Sequence, residues 1–163
     1  MVVISISGVP GAGKTTLANK LAKVLNAQVI NILDFTKSQK IPMEYDEAFQ
    51  TYLIDEKIFI EKITEYIKNS NKNIIIEGVF AHILPKNIVD LFVLVEADPN
   101  DLYKRLLQRN YPYHKIFENI WAQNMRIIED ELLEEGKKYL IVNTSKESLD
   151  EIINKISRCI NNK

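Results

Sequence analysis

Gly8-Val9-Pro10-Gly11-Ala12-Gly13-Lys14-Thr15-Thr16 is the stretch that decides how this chain is read. It follows the apolar run Val2 to Ser7 and opens the helical pattern Leu17-Ala18-Asn19-Lys20-Leu21-Ala22, which is the strand, loop and helix context that a phosphate-binding loop requires. Glycines let successive backbone N–H groups converge on phosphate oxygens, and the start of the following helix adds its positive dipole end. Gly11, Ala12 and Gly13 form the cradle. Lys14 is placed to reach the β- and γ-phosphates, Thr15 to offer a hydroxyl to Mg²⁺, and Thr16 to hydrogen-bond the α-phosphate. The expected ligand is a nucleoside triphosphate.

Outward from that loop, apolar runs recur at Val2 to Ser7, Gln28 to Ile32, Asn73 to Ile76, Leu91 to Val95 and Tyr139 to Val142, with helical patterns between them. Such alternation predicts an α/β fold in which a parallel sheet is covered on both faces. Asp98-Pro99-Asn100-Asp101 reads as a helix start, with an N-cap, a first-turn proline and an early acid. One long helix is expected from near Lys115 to Gly136, with Ile116, Ile120, Trp121, Ile127 and Ile128 on its core face and Glu129 to Glu135 in solvent. Thr144 or Ser148, each followed three residues later by an acid, caps the last helix.

At 163 residues and 46% hydrophobic composition, the chain can bury one sizeable core, so residues 1–163 read as a single domain. With 21 basic against 22 acidic side chains, the formal charge of −1 sets up no global field for nucleic acid or an anionic membrane. No membrane association and no strong general nucleic-acid binding are therefore expected. Cys159 is the one cysteine, which excludes an internal disulfide, and its neighbours Ile156 and Ile160 favour a packed thiol over a redox role. The absence of a leader pattern ahead of the loop gives a cytoplasmic enzyme as the expectation.

Three further groups carry candidate chemistry. Glu77 ends the third apolar run, where a P-loop enzyme holds its magnesium shell; the alternative is a strand-end acid bonded to loop backbone. His82 stands beside Phe80, Ile83 and Leu84, which fits a core or capping imidazole better than a group that positions water or phosphate. Lys104, Arg105 and Arg109 form a basic cluster ahead of the turn-rich stretch Asn110 to Lys115, which is able to close over bound nucleotide. Lys104 reads as a solvated face, Arg109 as a phosphate contact.

Together the loop, Tyr45-Asp46-Glu47 with Leu53-Ile54-Asp55-Glu56, and Leu102 to Leu106 through Arg109-Asn110-Tyr111 and Lys115 to Asn119 resemble the archaeal and eukaryotic adenylate-kinase-like family. Members of that family are P-loop nucleoside monophosphate kinases that double as ATPases in small ribosomal subunit maturation. The resemblance covers nearly the whole chain. It implies a three-layer P-loop fold of adenylate kinase type with a five-stranded parallel sheet, a monophosphate-binding region at about 31–54 and a lid at about 108–118. It further implies ATP and Mg²⁺ as cofactors, AMP or a related monophosphate as acceptor, and a transient small-subunit ribosomal protein partner.

On this reading Lys14, Arg109 and Arg105 stabilise the transferring phosphoryl group, and Thr15 and Glu77 position magnesium. Asp34, Lys37 and His82 meet the acceptor, and the Asn143-Thr144 loop after the last strand lies near the adenine. The chain departs from the family at three positions: Val79 replaces the histidine of an acid-x-histidine pair, Lys37 stands for an arginine, and Asn110 for a glycine. Two other readings stay open. One is a nucleotide-gated assembly factor with little kinase activity; the other is a small-molecule kinase that would use Asp34 as base.

Overall fold

The computed structural model describes residues 1–48 and 50–162. Five strands, β1 (Val3–Ser7), β2 (Ala27–Asn31), β5 (Asn73–Glu77), β6 (Leu91–Glu96) and β7 (Tyr139–Asn143), form one sheet in the order β2-β5-β1-β6-β7. Every pairing in it is parallel. All five coincide with the predicted apolar runs to within a residue or so.

Alternation along β1 shows why both faces are apolar. Ile4 and Ile6 enter a core with Leu17, Leu21, Val93, Ile152 and Ile156, whereas Val3 enters a second core with Ile74, Ile76, Phe92, Phe59 and Ile63. Helices α1 (Lys14–Leu25) and α7 (Leu149–Asn161) supply the first layer. Helices α2 (Ile32–Ser38), α3 (Glu56–Lys68) and part of α6 (Ile127–Glu134) supply the other. Of the two candidate caps for α7, Ser148 takes the position and forms a reciprocal capping box with Glu151.

Because β5 and β6 flank β1 on opposite sides, the strand order reverses there, and the crevice at the carboxyl ends of these strands is the natural ligand site. Register brings the strand ends level, with Asn31 opposite Glu77 and Glu96 opposite Asn143.

Two features differ from the expectation. The expected monophosphate-binding stretch contains an antiparallel hairpin, β3 (Met43–Asp46) with β4 (Thr51–Ile54), apart from the main sheet; Phe49 lies outside the described residues. The long helix is two helices, α5 (Tyr113–Asn124) and α6, because Arg126 adopts φ 55° and interrupts the hydrogen-bond ladder. This break turns Leu132 into the second core, while Trp121 and Ile127, expected on the core face, are exposed. Helix α4 (Pro99–Gln108) precedes α5 and begins at Asp98 as predicted, although the Asp98 carboxylate takes Asn143 Nδ2 rather than an α4 amide.

Candidate functional site

Backbone geometry forces glycine into the loop. Gly13 has φ 103° and immediately precedes α1, and Gly8 has φ 148° with its Cα so close to β6 that a Cβ would overlap the Val95 carbonyl oxygen. The loop is held from below. Arg105, on α4, donates from Nη1 to Gly11 O at 3.0 Å and to Thr144 Oγ1 at 3.1 Å, and Thr144 Oγ1 donates to Ala12 O at 2.7 Å. The guanidinium of Arg105 is thus engaged by the cradle's carbonyls, which assigns it to shaping the loop.

Lys14 is buried at the start of α1 and donates to Val9 O at 3.0 Å. Burial holds its ammonium down at about 8; the charge of Glu77 opposes this shift and that of Arg109 adds to it. A cation in that state gains most from an arriving polyphosphate, which neutralises the cost of its burial.

Lys14 and Thr15 line a cleft of about 430 Å³ with Asn31, Tyr45, Tyr52, Glu77, Arg109, Tyr111, Lys115 and Asn119. On the other side of Arg109 lies a groove of about 400 Å³ bounded by Gly11, Gly13, Thr16, Arg105, Arg109 and Thr144. Arg109 therefore stands between two spaces that meet at the loop. Its position at the C-terminal cap of α4 puts it on the exposed edge of both.

Glu77 is buried at the end of β5, and Asn31 Nδ2 donates to its Oε1 at 2.6 Å. The same Asn31 caps α2 by accepting from Asp34 N at 3.1 Å, so one side chain fixes both the helix start and the carboxylate. The exposed hydroxyl-bearing Thr15 shares two cavities with Glu77. This oxygen donor set fits Mg²⁺, which takes one or two protein oxygens and completes its shell with phosphate and water. Among the described residues no cluster of three or more acid, histidine or cysteine side chains is arranged to hold a metal unaided.

Several expected site residues lie elsewhere. His82 points away from the cleft: Nδ1 meets Val79 O at 3.2 Å and Nε2 pairs with Glu131 of α6 at 2.7 Å, beside a separate cavity of about 330 Å³. An acceptor-binding role for His82 does not fit this position, because its ring nitrogens tie the turn after β5 to α6. Asn143 is likewise committed, donating to Asp98 Oδ1 and accepting from the Ser145 and Lys146 amides, and it is Thr144 that faces the loop. Lys37 is exposed and sits 5.6 Å from the Tyr52 ring centroid, behind the aromatic that lines the cleft. Asp34 is in the first turn of α2 and borders a polar groove with Thr15, Asn31 and Glu77.

Tyr111, Lys115 and Asn119 line the cleft from the stretch that the sequence reading gave to the lid; that reading did not single out Asn31, nor did it foresee the edge-on Tyr45–Tyr52 pair, whose centroids are 5.1 Å apart. The one available signal was for Asn31, a helix-capping residue type at a strand end. Its register opposite Glu77 was not visible.

Fold and site together define a nucleotide-binding P-loop protein with a kinase-like architecture. A family model described as an AAA domain matches residues 4–126. Over 98% of this chain and 84% of its own length, a Pyrococcus furiosus protein is 31% identical, and a Methanocaldococcus jannaschii protein is 33% identical over 98% and 86%. A Saccharolobus islandicus protein is 33% identical over 94% of this chain and 81% of its own. All three bear the name "Putative adenylate kinase". The chain belongs to the AAA-domain P-loop family that its sequence matches and that these relatives share. Among solved structures, the Bacillus subtilis YorR protein in complex with phosphorylated GDP has a TM-score of 0.64 at 22% identity, covering 98% of this chain and 96% of that one. An uncharacterized Eubacterium ventriosum protein gives 0.61 at 11% identity with full coverage of both chains. These two likenesses show the fold.

Proposed function

We propose that this protein is a nucleoside monophosphate kinase that moves the γ-phosphoryl group of MgATP to AMP or a related monophosphate. The observation that carries the reading is the pair of spaces that share Arg109, one along the loop toward Thr144 and one, lined by Lys14, toward the hairpin. A protein that only bound or hydrolysed one nucleotide would need a single space. The names of the archaeal relatives support the same reading.

In this scheme the triphosphate lies along Gly11 to Thr16 with its base in the groove beside Thr144. The monophosphate enters between Asn31, Tyr45 and Tyr52 with its phosphate toward Lys14. An acceptor phosphate oxygen forms a bond to the γ-phosphorus as the bond from the β,γ-bridging oxygen breaks, which gives two diphosphates when ATP meets AMP. The acceptor is anionic at neutral pH, so no strong base is required. Lys14 and Arg109 follow the charge that builds on the transferring oxygens, and Arg105 keeps the cradle in shape. Thr15 and Glu77 would hold Mg²⁺, which when bound draws charge from the β- and γ-phosphates. Tyr111 and Lys115 exclude water when the 108–118 segment closes.

The test is coupled detection of diphosphate formation with Mg²⁺, ATP and each monophosphate in turn, beside Lys14→Ala and Arg109→Ala. Turnover that needs a monophosphate and is lost in both variants is expected. Equal, monophosphate-independent hydrolysis in all three proteins would refute the kinase reading. A second reading, ATP hydrolysis that times contact with a small-subunit ribosomal protein, is supported by the sequence resemblance. The near-zero net charge favours a protein contact over RNA backbone in that role. Recovery of no small-subunit component from lysate with ATP, ADP or no nucleotide would remove it.

A further inference from the structure

We propose that the protein self-associates through the outer face of α5, as a two-fold dimer with the α5 helices antiparallel. Tyr113, Phe117 and Trp121 recur at four-residue intervals along this helix, Met125 continues the interval at its C-cap, and all four are exposed, while Ile116 and Ile120 pack α5 on the protein. From α4, exposed Leu107 adds to the stripe, and the Tyr103 ring meets that of Phe117 at 6.2 Å, so the apolar surface spans both helices.

Its size decides that this is more than scattered surface apolarity. Exposures of 42% for Leu107, 62% for Tyr113, 59% for Phe117 and Trp121 and 54% for Met125 leave about 550 Å² uncovered, at roughly 200 Å² for each large side chain. That is at the upper end of the about 300–600 Å² typical of the largest patch on a monomer. Two copies face to face bury up to about 1,100 Å² from these side chains, at the low end of specific interfaces, which fits a weak dimer.

The spacing and the helix dipole select a second copy in antiparallel order. A four-residue repeat is self-complementary under two-fold symmetry, where antiparallel pairing sets Tyr113 against the second copy's Met125 and Phe117 against its Trp121. Antiparallel pairing also opposes the two helix dipoles, whereas parallel pairing would stack like on like.

Trp121 is the chain's one tryptophan, so its emission reports the proposed contact directly. The experiment is sedimentation velocity of the full chain between roughly 1 and 200 µM, a range chosen for the weak affinity such an area supports, with tryptophan emission read across the same range. A concentration-dependent doubling of mass, with a blue shift of Trp121 emission, is the expected result. Phe117→Glu and Met125→Glu, each checked for a cooperative melt, abolish both signals. A single-chain mass and invariant emission throughout would overturn the proposal, as would a dimer that both substitutions leave intact. The emission of the unmodified chain keeps the test decisive even where a substitution impairs folding.

Discussion

Replacing Gln123 by alanine tests how α5 is anchored. The Gln123 side-chain amide grips both backbone groups of Ala97, just beyond β6: its Oε1 accepts from Ala97 N at 3.1 Å and its Nε2 donates to Ala97 O at 2.7 Å. Ala97 is 1% exposed with Gln123 in place, so truncation leaves both groups unpaired except where water follows. A buried donor or acceptor left unpaired costs about 1–3 kcal/mol. Water entering from the adjoining cavity, which Gln123 lines, offsets part of the loss. The net expectation is about 2–4 kcal/mol, a fall in melting temperature of about 6–12 °C for a chain of this size. Urea denaturation gives the free energy, and Gln123→Glu divides it: a carboxylate still accepts from Ala97 N–H but presents no donor to Ala97 O, so this variant is destabilised too. A cost of less than about 0.5 kcal/mol for Gln123→Ala, within the range of ordinary surface changes, would refute the anchoring role.

Three other outcomes follow from the same structure. Burial holds Lys14 at about 8 and bound triphosphate raises it, so above pH 8 ATP binding takes up a proton: affinity is complete below pH 8 and falls about tenfold per unit above it, a dependence expected to be absent from titration calorimetry of Lys14→Met. Asn31→Ser preserves the α2 cap but releases the Glu77 carboxylate, which raises the Mg²⁺ concentration needed for half-maximal turnover by roughly tenfold. Gly8→Ala drives a methyl group into the Val95 carbonyl oxygen and is expected to destabilise the fold by at least about 3 kcal/mol, seen as loss of soluble protein or a lowered urea midpoint.

The parallel sheet and the phosphate-binding loop were legible in the sequence because their signals are local. Each strand of the main sheet is a short apolar run, since both faces are covered, and Gly8 to Thr16 carries its backbone requirement in its own residue types. The capping box at Ser148 and the helix start at Asp98 were readable for the same reason. By contrast, Asn31 meets Glu77 across 46 residues, Arg105 reaches Gly11 across 94, and Gln123 grips Ala97 across 26. No local pattern encodes those partners, which depend on strand register and on how helices cross the sheet. His82 and Asn143 show the converse. Their residue types suit a phosphate or base site, but three-dimensional packing commits one to Glu131 and the other to Asp98. The break at Arg126 belongs to the same class, because a left-handed residue between two helical patterns is fixed by the need to turn Leu132 inward. By itself the sequence determined that this chain folds as an α/β protein with a phosphate-binding loop after its first strand. Tertiary structure alone decided which side chains surround that loop, because directional polar contacts depend on positions that only the assembled sheet and helices supply.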